Sequence, residues 1–152
     1  MVCVFWTPLS TNFSMKLIYQ LHTSPEVVFP YLSDMDLFTS VHPVISKMVS
    51  TGKDEYTAFE TLQIGPVPFS FSYPTVVHHN STKGSIHMQA IIFKMTTMAL
   101  SFTLSAQNGT TTIEEEIQVK SIWPLTSLIL NTVKTQHTIL FKNIEEHIRQ
   151  QS

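Results

Sequence analysis

The chain has 152 residues and a formal net charge of −2, with 43% hydrophobic and only 13% charged residues, about half the usual charged share of soluble domains. That length suits one domain with a sizeable core, and the charge balance carries no basic footprint for nucleic acid. A single cysteine, Cys3, excludes an internal disulfide framework and fits a reducing compartment, while no run approaches the ~20 apolar residues of a membrane helix.

In chain order, Met1–Trp6 is apolar but lacks the basic flank and length of a signal core. A cytoplasmic location is therefore expected, and the Asn-x-Ser/Thr triplets at Asn12, Asn80 and Asn108 read as turn chemistry. The strand pattern begins at Met15-Lys16. This makes Met15 an alternative start, and residues 1–14 a tail or capping segment ahead of a single domain over residues 15–152. Leu17, Tyr19 and Leu21 alternate with Ile18 and Gln20, predicting a strand over Lys16–His22.

Thr23-Ser24-Pro25-Glu26 announces a helix, since a hydroxyl cap, an early proline and an early acid all suit the free amides of a helix start. Val27, Val28, Tyr31 and Leu32 form its apolar stripe. Ser33-Asp34 opens a second short helix over residues 35–41, which ends at His42-Pro43 because a residue before proline avoids the helical region.

Residues 44–50 and 55–64 read as strands about the turn Thr51-Gly52-Lys53-Asp54, and Gly65-Pro66 is the next turn. Four strands follow between Val67 and Ser121. Asn108-Gly109, the strongest two-residue hairpin signal, pairs Leu104 with Ile113, Phe102 with Glu115 and Leu100 with Ile117. A tight turn at Thr96-Thr97 predicts Phe93 opposite Leu100, Ile91 opposite Phe102 and Gln89 opposite Leu104. A longer turn over Asn80–Gly84 predicts Val77 opposite His87, Thr75 opposite Gln89 and Tyr73 opposite Ile91. Opposed residues share a face, so all of these fall on one apolar face that also carries Tyr73, Thr75, His79, His87, Gln89 and Glu115.

Trp123-Pro124 opens the last helix, which runs to Gln150. Leu125, Ile129, Val133, Leu140, Ile144 and Ile148 recur at helical spacing, Leu128, Phe141 and Ile139 widen the stripe, and His137 falls on it. This helix is the one long candidate to cover the apolar face. The predicted fold is α+β: a curved antiparallel sheet of about seven strands wrapped around a long C-terminal helix, with two short helices after the first strand.

The segments Thr23-Ser24-Pro25-Glu26-Val27-Val28-Phe29, Phe38…His42-Pro43, Gly65-Pro66-Val67-Pro68-Phe69 and Asn108-Gly109-Thr110, in this order of elements, resemble the START-like, SRPBCC helix-grip superfamily. That group includes polyketide cyclase/dehydrase-type and birch-pollen-allergen-like proteins. The resemblance covers roughly Met15 to Gln150, and its motifs are mostly structural. It implies a hydrophobic ligand held between sheet and long helix, and enzymatic activity in some members.

Among residues able to carry chemistry, Glu115 faces inward between Ile113 and Ile117. A carboxylate there is either paired or shifted upward by desolvation. It reads as a polar anchor or proton donor, or else as a carboxylate satisfied by a neighbour or turned out by a bulge. Tyr73 lies in the same row and reads as a ligand-orienting hydroxyl or a half-buried core tyrosine. His137 is a catalyst or a hydrogen-bonded interior histidine, and His42 a ligand contact or a helix end. Glu60 comes out inward if Gly65-Pro66 is a two-residue turn, several strands from Glu115.

The residues placed to contact a ligand are Phe38, His42, Phe71, Tyr73, Gln89, Ile91 and Phe93, together with Leu100, Phe102, Glu115, Ile117, Val133 and His137. No cofactor or metal is expected, because His78 points away from His79 and His87 and no third ligand has zinc-like spacing. The favoured function is carriage or sensing of a small hydrophobic molecule. The alternatives are a cyclase- or dehydratase-like enzyme using Glu115 with Tyr73 or a histidine, and a protein-interaction module using the polar sheet face or residues 1–14.

Overall fold

The computed structural model describes residues 10–122 and 124–152. Strand β1 (Ser10–Leu21) is followed by helices α1 (Pro25–Ser33) and α2 (Met35–Val41). Then come β2 (Ile45–Gly52), β3 (Glu55–Ile64), β4 (Val67–Asn80), β5 (Ser85–Ile92), β6 (Thr96–Gln107), β7 (Thr110–Ile122) and helix α3 (Leu125–Gln150). The antiparallel sheet has the order β1-β7-β6-β5-β4-β3-β2, so consecutive strands pair and β1 closes the edge beside β7. Its concave face packs against α3, as the alternation predicts. Strand β1 begins at Ser10 rather than Lys16, and residues 10–14 pair with β7 along Ser10–Ile122 to Ser14–Gln118. The apolar run Met1–Trp6 lies outside the described residues.

Local chemistry explains the two short helices. Ser24 precedes α1, but its hydroxyl makes no capping bond; Pro25 and Glu26 in the first turn set the start instead. Asp34 caps α2 fully, accepting from the amides of Asp36 (2.9 Å) and Leu37 (3.3 Å). His42 then leaves the helix with extended backbone ahead of Pro43.

The hairpin registers divide by turn chemistry. Asn108 and Gly109 both have positive φ, and β6 meets β7 in the predicted register. Gly65-Pro66 is a two-residue turn that sets Ile64 opposite Val67. The two turns around β5 differ from expectation. Phe93-Lys94-Met95 forms the β5–β6 turn, with positive φ at Phe93 and Lys94, and Ile86 rather than Ile91 stands opposite Phe102. At the other end Val77 faces Met88 rather than His87.

Each slip is an odd number of residues, so β5 alone inverts while β4, β6 and β7 keep their faces. The inversion buries Ile86, Met88 and Ala90 and gives His87, Gln89 and Ile91 to the convex, solvent side. Burial of three apolar side chains in place of a histidine, a glutamine and one isoleucine is the physical reason for this register. Strand β4 pairs with β5 only from Thr75 to Asn80, leaving Val67–Pro74 bonded to β3 alone.

On α3, Val133, His137, Leu140, Phe141 and Ile144 are buried, together with Thr126 and Leu130. Of the residues expected to widen the buried stripe, Ile139 faces solvent and Leu128 is exposed at the edge of the space between helix and sheet.

Candidate functional site

Sheet and helix do not close on each other completely. A cavity of about 260 Å³ remains between the concave face of β2–β6 and the first half of α3. Most of its wall is apolar, from Ala58, Leu62, Met88, Ala90, Ile92 and Leu100 on the sheet and Ile129 and Val133 on the helix. Of the residues predicted to touch a ligand, Phe38, His42, Phe71, Tyr73, Phe93, Leu100, Val133 and His137 line it. Gln89 and Ile91 do not, because β5 is inverted and they face outward. Phe102, Glu115 and Ile117 are buried one layer deeper, in the closed part of the core.

The polar groups of the cavity form two clusters. In the first, Tyr73 donates its hydroxyl to Glu60 Oε2 at 2.7 Å, and Gln136 reaches Oε1 from the helix at 3.5 Å. Ala58 stands opposite Tyr73 and Glu60 opposite Phe71, so this bond is a diagonal contact across two strands. Burial raises the Glu60 carboxyl above its ordinary range. It raises the Tyr73 phenol well above its own, with the Glu60 charge adding to the effect.

In the second cluster, His42 Nδ1 accepts from the amides of Ile45 (2.9 Å) and Val44 (3.3 Å). Two backbone donors on Nδ1 fix the neutral tautomer with its proton on Nε2. Burial, reinforced by His137, pushes this imidazole down to about 3, so His42 is a permanent hydrogen-bond donor. Its ring centroid lies 5.9 Å from that of His137.

His137 projects from α3 and bonds through Nδ1 to Glu115 Oε1. Glu115 is 1% exposed, and its other oxygen, like the nearby Tyr19 hydroxyl, has no partner among the described residues. Burial and then the Glu115 charge push the Tyr19 phenol up to about 12. The carboxylate thus orients an imidazole whose second nitrogen bonds to no other described residue, an arrangement suited to accepting and returning a proton.

Sequence reasoning placed Glu60, Glu115, Tyr73 and His137 on the inner face but did not pair them. Strand curvature brings His137 close enough for its charge to act on Glu60, although the two carboxylates stand on strands separated by β4, β5 and β6. Thr75 and Gln136 also line the cavity, and the Thr75 hydroxyl is buried there with no partner among the described residues. Spacing held the clue to Gln136, three residues beyond Val133 and adjacent to His137.

The remaining histidines are dispersed. His87 bonds Ser101 on the convex face (2.8 Å), His78 approaches Asp54 (3.4 Å), and His79 stacks edge-on with Phe29. Among the described residues no three His, Cys, Asp or Glu side chains converge as metal ligands, and no helix is long and apolar enough to cross a membrane.

Neither a protein-family model nor a curated protein matches the chain. Solved structures do. Ara h 8.0201 superposes with a TM-score of 0.72 at 14% identity, over 92% of this chain and 99% of its own. A START superfamily protein from Mycobacterium smegmatis gives 0.72 at 14% identity, over 91% and 99%. The Zhui aromatase/cyclase from Streptomyces sp. R1128 gives 0.69 at 7% identity, over 92% and 95%. At these identities the likeness shows the fold, as the resemblance implied, and leaves the chemistry to the residues of this cavity.

Proposed function

On the START-like, SRPBCC helix-grip fold that the chain adopts, we propose that it binds one compact, largely apolar molecule between sheet and C-terminal helix, as a carrier or sensor. One observation carries this reading: the void is mostly apolar, with polar groups gathered at His42–His137 and Glu60–Tyr73–Gln136. Pockets built this way use the apolar wall for affinity and a few fixed polar groups for orientation. Its volume of about 260 Å³ lies near the small end of ligand pockets (roughly 300–1,000 Å³). That favours a compact ring compound over a long-chain lipid. The Nε2–H of His42 offers a fixed donor to a carbonyl or hydroxyl oxygen of the ligand.

Native mass spectrometry of the purified protein, with solvent extraction and titration of an apolar fluorescent probe, tests this. Bound or bindable apolar compound is expected. Ala90→Phe, which fills the void from β5, abolishes uptake and keeps cooperative unfolding. A protein that neither releases nor takes up any apolar compound rules the reading out.

The His137–Glu115 pair favours a second reading, acid/base catalysis on the bound molecule, with the inward carboxylate acting through the imidazole rather than directly. Under it, Glu115→Gln removes turnover of a compound recovered from the cavity while the fold persists. Turnover that survives the substitution sinks it.

A further inference from the structure

The cavity opens at one end of the molecule, and that end differs from the other in both hydrophobicity and charge. Inward-facing positions on β3 and β4 continue past the cavity wall to Ile64, Val67 and Phe69, exposed by 62%, 62% and 44%. The β5–β6 turn adds Phe93 and Met95, and the second turn of α3 adds Leu128, all more than half exposed. Phe69, Phe71 and Phe93 stack with centroids 5.1–6.3 Å apart, joining the β3–β4 hairpin to the β5–β6 turn. Six exposed apolar side chains therefore rim the opening, a concentration that marks an interaction surface.

The charges are segregated along the same axis. The sequence has no carboxylate between Glu60, which is buried, and Glu114. At this end stand Lys94, on the β5–β6 turn, and Lys120, on the convex side of β7 opposite Thr97. The far end, with the β2–β3 and β4–β5 turns, the start of α1 and the end of α3, is net acidic: Glu26, Asp54, Glu55, Glu145 and Glu146 outnumber Lys53, Lys83 and Arg149. The mouth is thus an apolar ring with cations and, among the described residues, no exposed anion.

We propose that the mouth docks on an anionic lipid bilayer. The ring enters the headgroup boundary, Lys94 and Lys120 meet lipid phosphates, and the acidic end points to water. A second copy is a poorer occupant. A two-fold contact sets each patch against itself, bringing Lys94 towards Lys94 with no carboxylate between them. Docked in this way, the cavity opens toward the acyl region, and an apolar ligand passes between protein and membrane without crossing water.

Co-sedimentation of the full chain with phosphatidylcholine vesicles, plain or with about 30% phosphatidylglycerol, tests this. The protein is expected to sediment with the anionic vesicles, less with plain ones, and less as salt rises. The double substitution Ile64→Asp/Val67→Asp reduces the bound fraction about tenfold. Neither residue lines the cavity, so probe uptake persists, which separates failure of docking from failure of ligand binding. The proposal is overturned by wild-type protein staying in the supernatant, or by the double variant sedimenting like wild type. It also falls if vesicles bind only after residues 1–9 are removed, or if the wild type is a dimer that the double variant separates.

Discussion

At the scale of single residues, the cavity is defined by groups held away from their ordinary titration. The His42 imidazole falls from 6.5 to about 3 in the folded protein. Unfolding therefore takes up a proton anywhere between those values, so the stability linked to neutral His42 is complete above pH 6.5 and is lost as pH falls towards 3. The amount is on the order of a few kcal/mol. Urea unfolding between pH 7 and 3.5 should show this decline, and His42→Gln should flatten it.

Glu60 has the opposite sign. Its carboxyl is raised by burial, so its contribution is present below 4.5 and lost as pH rises through the folded value. Glu60→Gln keeps an acceptor for the Tyr73 hydroxyl and removes the buried charge. It should raise stability at pH 8, measured by the same unfolding curves, with the gain fading below pH 4.5. A gain that does not depend on pH would contradict the assignment. The inward placement of Tyr73 and Glu115 was legible from strand alternation, that of Glu60 from alternation with a two-residue Gly65-Pro66 turn, and that of His137 from helical spacing. Their pairing was not, because a diagonal bond depends on curvature and a helix-to-sheet bond on the rotation of α3, and neither is written in spacing.

At the scale of elements, legibility followed turn chemistry. Asn108-Gly109 and Gly65-Pro66 carry residues that accept positive φ, and both registers could be read from them. Phe93-Lys94-Met95 places two non-glycine residues in that region, with no glycine or asparagine to mark the turn. Alternation could not expose the error either, since Ile86-His87-Met88-Gln89-Ala90-Ile91 offers apolar residues on both faces. The cost of a turn can still be tested. Gly84 has φ +62°, and a Cβ there would lie 2.9 Å from the Leu104 carbonyl oxygen, whereas Gly109 has open space around it. Gly84→Ala should therefore destabilise by about 2–3 kcal/mol and Gly109→Ala by about 1 kcal/mol in chemical denaturation. Equal effects would show that the β4–β5 turn is not docked against β6.

At the scale of the whole molecule, the sheet spends its concave face in two ways: one part forms a closed core with α3, and the other part encloses the cavity. Phe102, Ile117 and Leu140 belong to the first and are fully buried. The second is finished by one ligand, so binding should act as a missing piece of core. Ligand at about 100 times its Kd should stabilise the fold by about 2.7 kcal/mol, seen as a rise in Tm that Ala90→Phe no longer shows. The gap between Glu60 and Glu114 was present in the sequence, but only the topology reveals that it supplies both strand turns at the cavity mouth.

The bonding of β4 has a consequence for timing. Its first half, from Val67 to Pro74, hangs on β3 alone, and both Pro68 and Pro74 lack an amide to offer a new neighbour. Beyond Glu60 the β3–β4 finger is therefore a two-stranded arm, fastened to the rest of the sheet by the Phe69–Phe71–Phe93 stack. Such an arm opens at a small fraction of the global unfolding free energy. Amide protons of Leu62–Ile64 and Phe69–Ser70 should exchange with deuterium far sooner than those of β6 and β7, and bound ligand should slow them. Traffic into the cavity then keeps the clock of one swinging arm, leaving the rest of the sheet undisturbed.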